Sequence, residues 1–224
     1  MRKQVVVIGL GRLGTALATT LHSLGHDVLA LDLDEKNVQN VASTITHAIQ
    51  ADATNEIALR ELGIGNFDIA IVTVPDVESS VLSTVLLKRL GVRYIIARAE
   101  DELHGSILER IGADKVVYPE RDMGIGIAHA LTLGDVIDYI PVTGGYGVVK
   151  LAAPPSFAGQ TLSSLGFGPK GKEQVAVLLL LRKQDVTIFP GGDEVVQEGD
   201  ALVVSGGWDN LEELISKFPR SKQE

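Results

Sequence analysis

From residue 4 to about residue 120, short runs of apolar residues alternate with stretches of helical periodicity. The runs are Val5–Gly9, Val28–Asp32, His47–Ala51, Ile69–Val74, Tyr94–Ala99 and Lys115–Tyr118, and each has the length of a strand. Between them, helices are expected over Thr15–Leu24, Glu35–Ala42, Asn55–Leu62, Glu78–Leu90 and Glu102–Ile111. Gly25, Gly63, Gly91 and Gly112 each follow a helical pattern where a C′ glycine ends a helix. Asp76 and Asp101 stand where an N-cap belongs. Strands alternating with helices predict right-handed βαβ units and an α/β, Rossmann-like, doubly wound parallel sheet.

After Pro119 the pattern changes. Asp122–Leu133 reads as one more helix, weakened by Gly124 and Gly126. Extended runs follow at Asp138–Val142 and Val148–Leu151 around a Gly144-Gly145 turn, then at Val175–Arg182 and Val186–Phe189 around Lys183-Gln184-Asp185. Ala201–Val204 follows the turn Glu198-Gly199-Asp200, and Asn210–Phe218 reads as a closing helix. The Pro-, Gly- and Ser-rich stretch Pro154–Lys172 is expected to be loop with one short helix around Thr161–Leu165. These elements make a small β-rich α+β domain. Expected boundaries are 1–134 for the first domain and 135–224 for the second, with a frayed polar tail over 219–224.

Composition narrows the function class. The 224 residues are 45% apolar, enough for a real core in one large domain or two small ones. A net charge of −9 argues against a nucleic-acid partner, which needs a basic footprint. With no cysteine the chain forms no disulfide or thiolate metal site, which suits a cytoplasmic protein. The longest apolar run, Val175–Leu181, falls far short of the roughly 20 residues that span a bilayer. The chain enters a strand at once, so no signal peptide is expected, and any membrane role is expected to come through a partner.

The first strand runs directly into Gly9-Leu10-Gly11-Arg12-Leu13-Gly14, a G-x-G-x-x-G that opens a helix. Gly9 permits the tight turn, Gly11 lets the backbone approach a pyrophosphate, and Gly14 lets helix and strand pack closely. The helix N-terminus offers unpaired N–H groups and partial positive charge to phosphates. Asp32 ends the next strand at the spacing of a ribose-binding carboxylate, with Asp34 beside it. A carboxylate there repels a 2′-phosphate, so NADP is disfavoured. Asp34 serves equally as an N-cap.

Ligands of open α/β sheets lie at the carboxyl ends of strands, so the remaining strand ends supply the other candidates. Asp52-Ala53-Thr54 ends the third strand; Asp52 either lies along the adenosine or caps the next helix. Thr73-Val74-Pro75 ends the fourth with small side chains that permit a base to approach. Two cations, Arg12 and Arg98, belong to the same end of the sheet. An arginine among small apolar residues, as at Arg98, is costly unless it meets an anion, either a phosphate or Glu100 or Asp101. Glu120 ends the sixth strand. Facing phosphates it requires a cation such as Mg²⁺; alternatively it is a solvated glutamate paired with Arg121.

No H-E-x-x-H, G-x-S-x-G or Walker sequence occurs. None of His22, His26, His47, His104 and His129 is placed as an acid/base in the expected cleft, and the second domain is too small for a substrate pocket. A non-enzymatic binding module is therefore expected. The rival readings are a small NAD-dependent oxidoreductase and an NAD-sensing repressor, the latter lacking a helix-turn-helix.

A Rossmann domain followed by a small β-rich domain resembles the RCK proteins, the cytosolic TrkA/KtrA-type subunits that regulate potassium channels and transporters. The likeness rests on the glycine loop from Gly9 to Gly14, on Asp52-Ala53-Thr54, on Ile111-Gly112-Ala113-Asp114 and on Tyr118-Pro119-Glu120-Arg121-Asp122-Met123-Gly124. It implies that a nucleotide, NAD(H) or ATP/ADP, contacts Gly9 to Leu13, Asp32, Thr73-Val74 and Arg98. It implies further that Arg12 meets terminal phosphates of a neighbouring subunit's nucleotide and that Glu120 holds Mg²⁺ or Na⁺ beside them. The same resemblance implies homodimers through Asp122–Leu133, an octameric ring, and control of a separate membrane-embedded potassium pore. Some such proteins bind cyclic di-AMP between paired C-terminal domains. Here the glycine-rich Gly166–Gly171 departs from the pattern, and no residues are assigned to that ligand.

Overall fold

The computed structural model describes residues 2–133, 136–143, 145–168 and 174–216. Backbone contacts divide the chain into two compact units, Met1–Glu120 and Arg121–Glu224.

The first unit contains six strands, β1 (Gln4–Ile8), β2 (Asp27–Asp32), β3 (His47–Gln50), β4 (Ile69–Val72), β5 (Tyr94–Arg98) and β6 (Lys115–Val117). All pair in parallel, in the order β3-β2-β1-β4-β5-β6. The helices between them are α1 (Arg12–Ser23), α2 (Glu35–Val41), α3 (Glu56–Glu61), α4 (Val77–Leu90) and α5 (Glu102–Ile111). Successive strand residues point to opposite faces, and here both faces are covered. Val6, Ile8, Leu29, Leu31, Ala70 and Val72 join one apolar cluster with Leu87 and Leu108 from the helices. Val5, Val7, Val28 and Ala30 join another with Ala18, Val38 and Val41. This is why β1 and β2 read as unbroken apolar runs: each fully buried Val, Leu or Ile contributes about 1.5–3 kcal/mol.

Helix ends follow local chemistry. The Asp34, Asn55, Asp76 and Asp101 side chains each accept a backbone N–H in the first turn of α2, α3, α4 and α5. Gly91 and Gly112 end α4 and α5 in the left-handed conformation, at φ 88° and 111°. Strand order reverses between β1 and its neighbours β2 and β4, so a crevice opens at their carboxyl ends.

The second unit begins within α6 (Pro119–Leu133), which starts three residues before the expected Asp122 because Pro119 suits the first helical position. Its sheet is antiparallel, built from β7 (Val136–Thr143), β8 (Tyr146–Ala152), β9 (Ala176–Arg182), β10 (Asp185–Ile188) and β11 (Ala201–Gly207) in the order β10-β9-β11-β8-β7. The core joins Val149, Leu151, Leu180, Leu202 and Val204 to Leu211 and Leu214 of α7 (Trp208–Ser216). Phe157 and Phe167 pack edge to face, centroids 6.0 Å apart. The helix expected around Thr161–Leu165 is instead a series of turns, with Thr161 bridged to Val195. The 3₁₀ turn falls at Pro155–Phe157, where Pro155 presets the backbone. The expected tail, 219–224, lies outside the described residues, as do residues 169–171 of the glycine-rich stretch.

Candidate nucleotide site

A cavity of about 360 Å³ occupies the crevice at the carboxyl ends of β1, β2, β3 and β4. Its wall includes Gly9, Gly11, Asp32, Asp52, Ala53, Thr73 and Val74 from the expected residues. The glycine turn is held from two sides: Gly9 N–H donates to the Leu31 carbonyl at 2.8 Å, and the buried Thr73 hydroxyl donates to the Gly9 carbonyl at 2.7 Å. Gly9 adopts φ +91°, and a Cβ on Gly14 would lie 1.8 Å from the Gly9 carbonyl oxygen. Only glycine permits this packing of α1 on the turn. Gly11 differs: a Cβ there meets nothing within 4 Å. Gly11 is also the N-cap of α1 with no side-chain cap, and no acidic residue stands in the first turn. The helix therefore presents uncapped N–H groups and its positive end at the cleft.

Asp32 is held rigidly. Its Oδ2 accepts the Leu10 N–H at 2.5 Å and its Oδ1 accepts the Asp34 N–H at 2.8 Å. A carboxylate has about four lone-pair sites, so acceptor capacity remains toward the cavity. Asp34 lies outside the cavity wall, where its carboxylate accepts the Lys36 N–H at 2.9 Å and caps α2. Asp52 accepts both the Thr54 hydroxyl at 2.7 Å and its N–H at 2.8 Å, bonds that hold its carboxyl below the usual range. The following helix is capped by Asn55, so Asp52 does not serve as its cap.

Leu10 and Leu13 contribute differently from the glycines between them. Leu10 is buried in the core and offers the site only its backbone N–H to Asp32. Leu13 is half-buried on α1, and neither it nor Gly14 reaches the cavity wall. Arg12 is exposed, with no carboxylate at ion-pair distance among the described residues. Arg98 and Glu120 stand outside the cavity and grip each other: Nη2 to Oε1 is 2.9 Å and Nε to Oε2 is 3.3 Å. This pairing, absent from the sequence-based alternatives, engages Nε and Nη2 of the guanidinium and holds the Glu120 carboxyl below its usual range, while Glu100, one of the expected partners, lies 4.0 Å from Nη2.

No group of three or more His, Asp or Glu side chains fit to hold a metal occurs among the described residues. Glu120 could supply one ligand to a hydrated ion, the remainder coming from phosphate and water. His22, His26, His47 and His104 all lie away from the cavity wall; His104 is buried, with Nδ1 3.4 Å from the Glu100 N–H. The His129 side chain is outside the described residues.

Wall residues that were not anticipated include Leu33, Asn37, Ser79 and Ser83. Ser79 and Ser83 are one turn apart on α4 and so share a face. Polar residues at that spacing in a helix whose Leu86 and Leu87 are core were a legible signal. Leu33 belongs to the β2–α2 connection and Asn37 to the first turn of α2, whose direction depends on how Asp32 and Asp34 are tied down.

No helix among the described residues is long and apolar enough to cross a membrane. Family models match in order along the chain, the TrkA-N domain over residues 5–119 and the TrkA-C domain over residues 148–218. The Ktr system potassium uptake protein A of Bacillus subtilis (strain 168) is 38% identical over 205 residues, 91% of each chain. The Ktr system potassium uptake protein C of the same organism is 37% identical over 207 residues, 92% of this chain and 93% of that one. The crystal structure of the GsuK RCK domain superposes with a TM-score of 0.53 at 24% identity, covering 96% of this chain and 47% of that chain. At that identity the likeness is one of fold, and this chain spans about half the length of the GsuK chain. Two TrkA modules in the same order and Ktr relatives aligned along nine-tenths of the sequence place it: the chain belongs to the TrkA/KtrA-type RCK family of potassium-transport regulatory proteins.

Proposed function

We propose that this chain is a nucleotide-binding regulatory subunit, not an enzyme, whose ligand state gates a membrane-embedded potassium channel or transporter subunit. The observation that carries the reading is the open space in front of Gly11, bounded by the uncapped start of α1 on one side and the fixed Asp32 carboxylate on the other. Backbone N–H groups there suit a pyrophosphate, and Asp32 suits ribose hydroxyls. The ligand is an adenosine nucleotide, either ATP/ADP or NAD(H), since both present the same adenosine and pyrophosphate to this wall.

Arg12 is assigned to terminal phosphates across a homo-oligomer contact; its exposure and its lack of an acidic partner among the described residues support this. Arg98 would exchange Glu120 for phosphate, leaving Glu120 to supply one ligand to Mg²⁺ or Na⁺. Assembly is proposed through α6, where Met123, Ile127 and Leu131 recur at four-residue spacing and are all exposed. Dimers closing into an octameric ring at the cytoplasmic face, and cyclic di-AMP between paired second units, belong to the same proposal, with no residue assigned to cyclic di-AMP. Calorimetry of the nucleotide-stripped protein against ATP, ADP, NAD⁺ and NADH tests the reading. Saturable binding of one pair is expected; no binding of any of the four would overturn it.

A further inference from the structure

Four hydroxyl-bearing side chains line the cavity: Thr54, Thr73, Ser79 and Ser83. Three are engaged within the protein. Thr54 donates to Asp52 at 2.7 Å, Thr73 to the Gly9 carbonyl at 2.7 Å, and Ser79 to Asp76 at 2.6 Å. Ser83 is only 1% exposed, yet its Oγ has no hydrogen-bond partner. A helical serine or threonine normally relieves this by donating to the carbonyl four residues back, as Thr84 does to Ser80 at 2.8 Å. Ser83 forgoes that bond. A buried hydroxyl left unpaired costs stability, so such a group points to a partner that arrives later. Ser80 is likewise buried and unpaired but does not reach the cavity.

We infer that Ser83 is a specificity-determining residue that hydrogen-bonds the nucleobase of the bound nucleotide. The inference rests on the nucleotide reading above. Phosphates belong at Gly11 and the start of α1, and ribose belongs at Asp32. The wall formed by Val74, Pro75 and the Ser79–Ser83 face of α4 is left for the base. Apolar side chains there cover the ring's faces, and a single hydroxyl, able both to donate and to accept, reads one position on its edge. Ser79 cannot donate in its place, because its proton is committed to the Asp76 carboxylate that caps the same helix.

The test compares wild type, Ser83→Ala and Ser80→Ala by calorimetry with ADP and with ribose 5-diphosphate, which lacks the base. Ser83→Ala is expected to weaken ADP by about threefold to tenfold, the worth of one hydrogen bond, and to leave the baseless ligand unchanged. Ser80→Ala should change neither affinity. The ligand-free Ser83→Ala protein should melt no lower than wild type, because it loses an unpaired polar group rather than a bond. Ser83→Cys, nearly isosteric and a weak donor, should reproduce the loss if the alanine variant is poorly behaved. Unchanged ADP affinity, or an equal loss for both ligands, would overturn the assignment of Ser83 while the nucleotide site stands. Failure of wild type to bind ADP, ATP or NAD(H) would overturn both.

Discussion

A Cβ on Gly14 would lie 1.8 Å from the Gly9 carbonyl oxygen, whereas one on Gly11 would meet nothing within 4 Å. The two glycines therefore fail differently when replaced. Gly11 has φ −64°, which any residue adopts, so Gly11→Val costs the start of α1 about 1 kcal/mol as a poorer cap. Thermal unfolding should show a folded protein, and calorimetry should show nucleotide binding lost, because the side chain fills the phosphate space. Retained affinity would remove Gly11 from the site. In the second unit, the buried Asp200 accepts two bonds from Arg182, at 3.0 and 2.8 Å, and one from the Gln197 N–H at 2.8 Å. Burial alone would raise the Asp200 carboxyl, but these bonds and the guanidinium charge outweigh it and hold the group below its ordinary 3.8. A carboxylate with a depressed folded value stabilises above its unfolded value, and that stability is lost as pH falls through the folded one. Unfolding followed at Trp208, within the second unit, should thus become easier below about pH 3.8. Asp200→Asn, which leaves the partly exposed Arg182 only Glu194, 3.4 Å away, as countercharge, should cost about 1–3 kcal/mol at neutral pH and flatten the acid dependence.

Among elements, α6 carries the clearest mismatch between sequence and surroundings. Met123, Ile127 and Leu131 are 65%, 53% and 75% exposed in the single chain, a stripe that water disfavours. Ile127→Glu is expected to shift light scattering toward the monomer at micromolar concentration while leaving the fold of the first unit unchanged. A wild-type monomer with and without nucleotide would remove the assembly proposal. The strands were legible for the converse reason: β1 and β2 are buried on both faces, so nearly every residue must be apolar. The second unit was harder to read at Thr161–Leu165. There a bridge between Thr161 and Val195, distant in sequence, outweighs a weak local helical preference.

For the molecule as a whole, ligand can shift a two-state assembly only as far as its affinities for the two states differ. ATP carries more negative charge than ADP and should draw Arg12 and Arg98 more strongly. Potassium flux through a co-reconstituted pore should accordingly differ between ATP and ADP, or between NADH and NAD⁺ if calorimetry selects that pair. Arg12→Ala should flatten the difference with adenosine binding largely kept. Equal flux in every nucleotide state would reject gating.

By itself the sequence determined the six-stranded α/β architecture, the glycine turn and the acid at the end of β2, because each depends on local rules: apolar runs, helix caps and the φ that glycine alone tolerates. It also carried the family resemblance, since those motifs recur at fixed spacing. Tertiary structure alone decided which polar groups are already satisfied. Asp34 and Asp32 are neighbours in sequence, yet one caps a helix and the other fixes the cavity wall. Phosphate or an ion pair with Glu100 or Asp101 for Arg98, and a metal or a pairing with Arg121 for Glu120, were the readings the sequence offered, but Arg98 ends β5, Glu120 stands in the first turn of α6, and they meet each other first. The spacing of Ser79 and Ser83 is in the sequence, but only the packing around α4 showed that the Ser83 hydroxyl is buried with no partner. Hydrogen-bond satisfaction is a property of three-dimensional neighbours, and no periodicity encodes it.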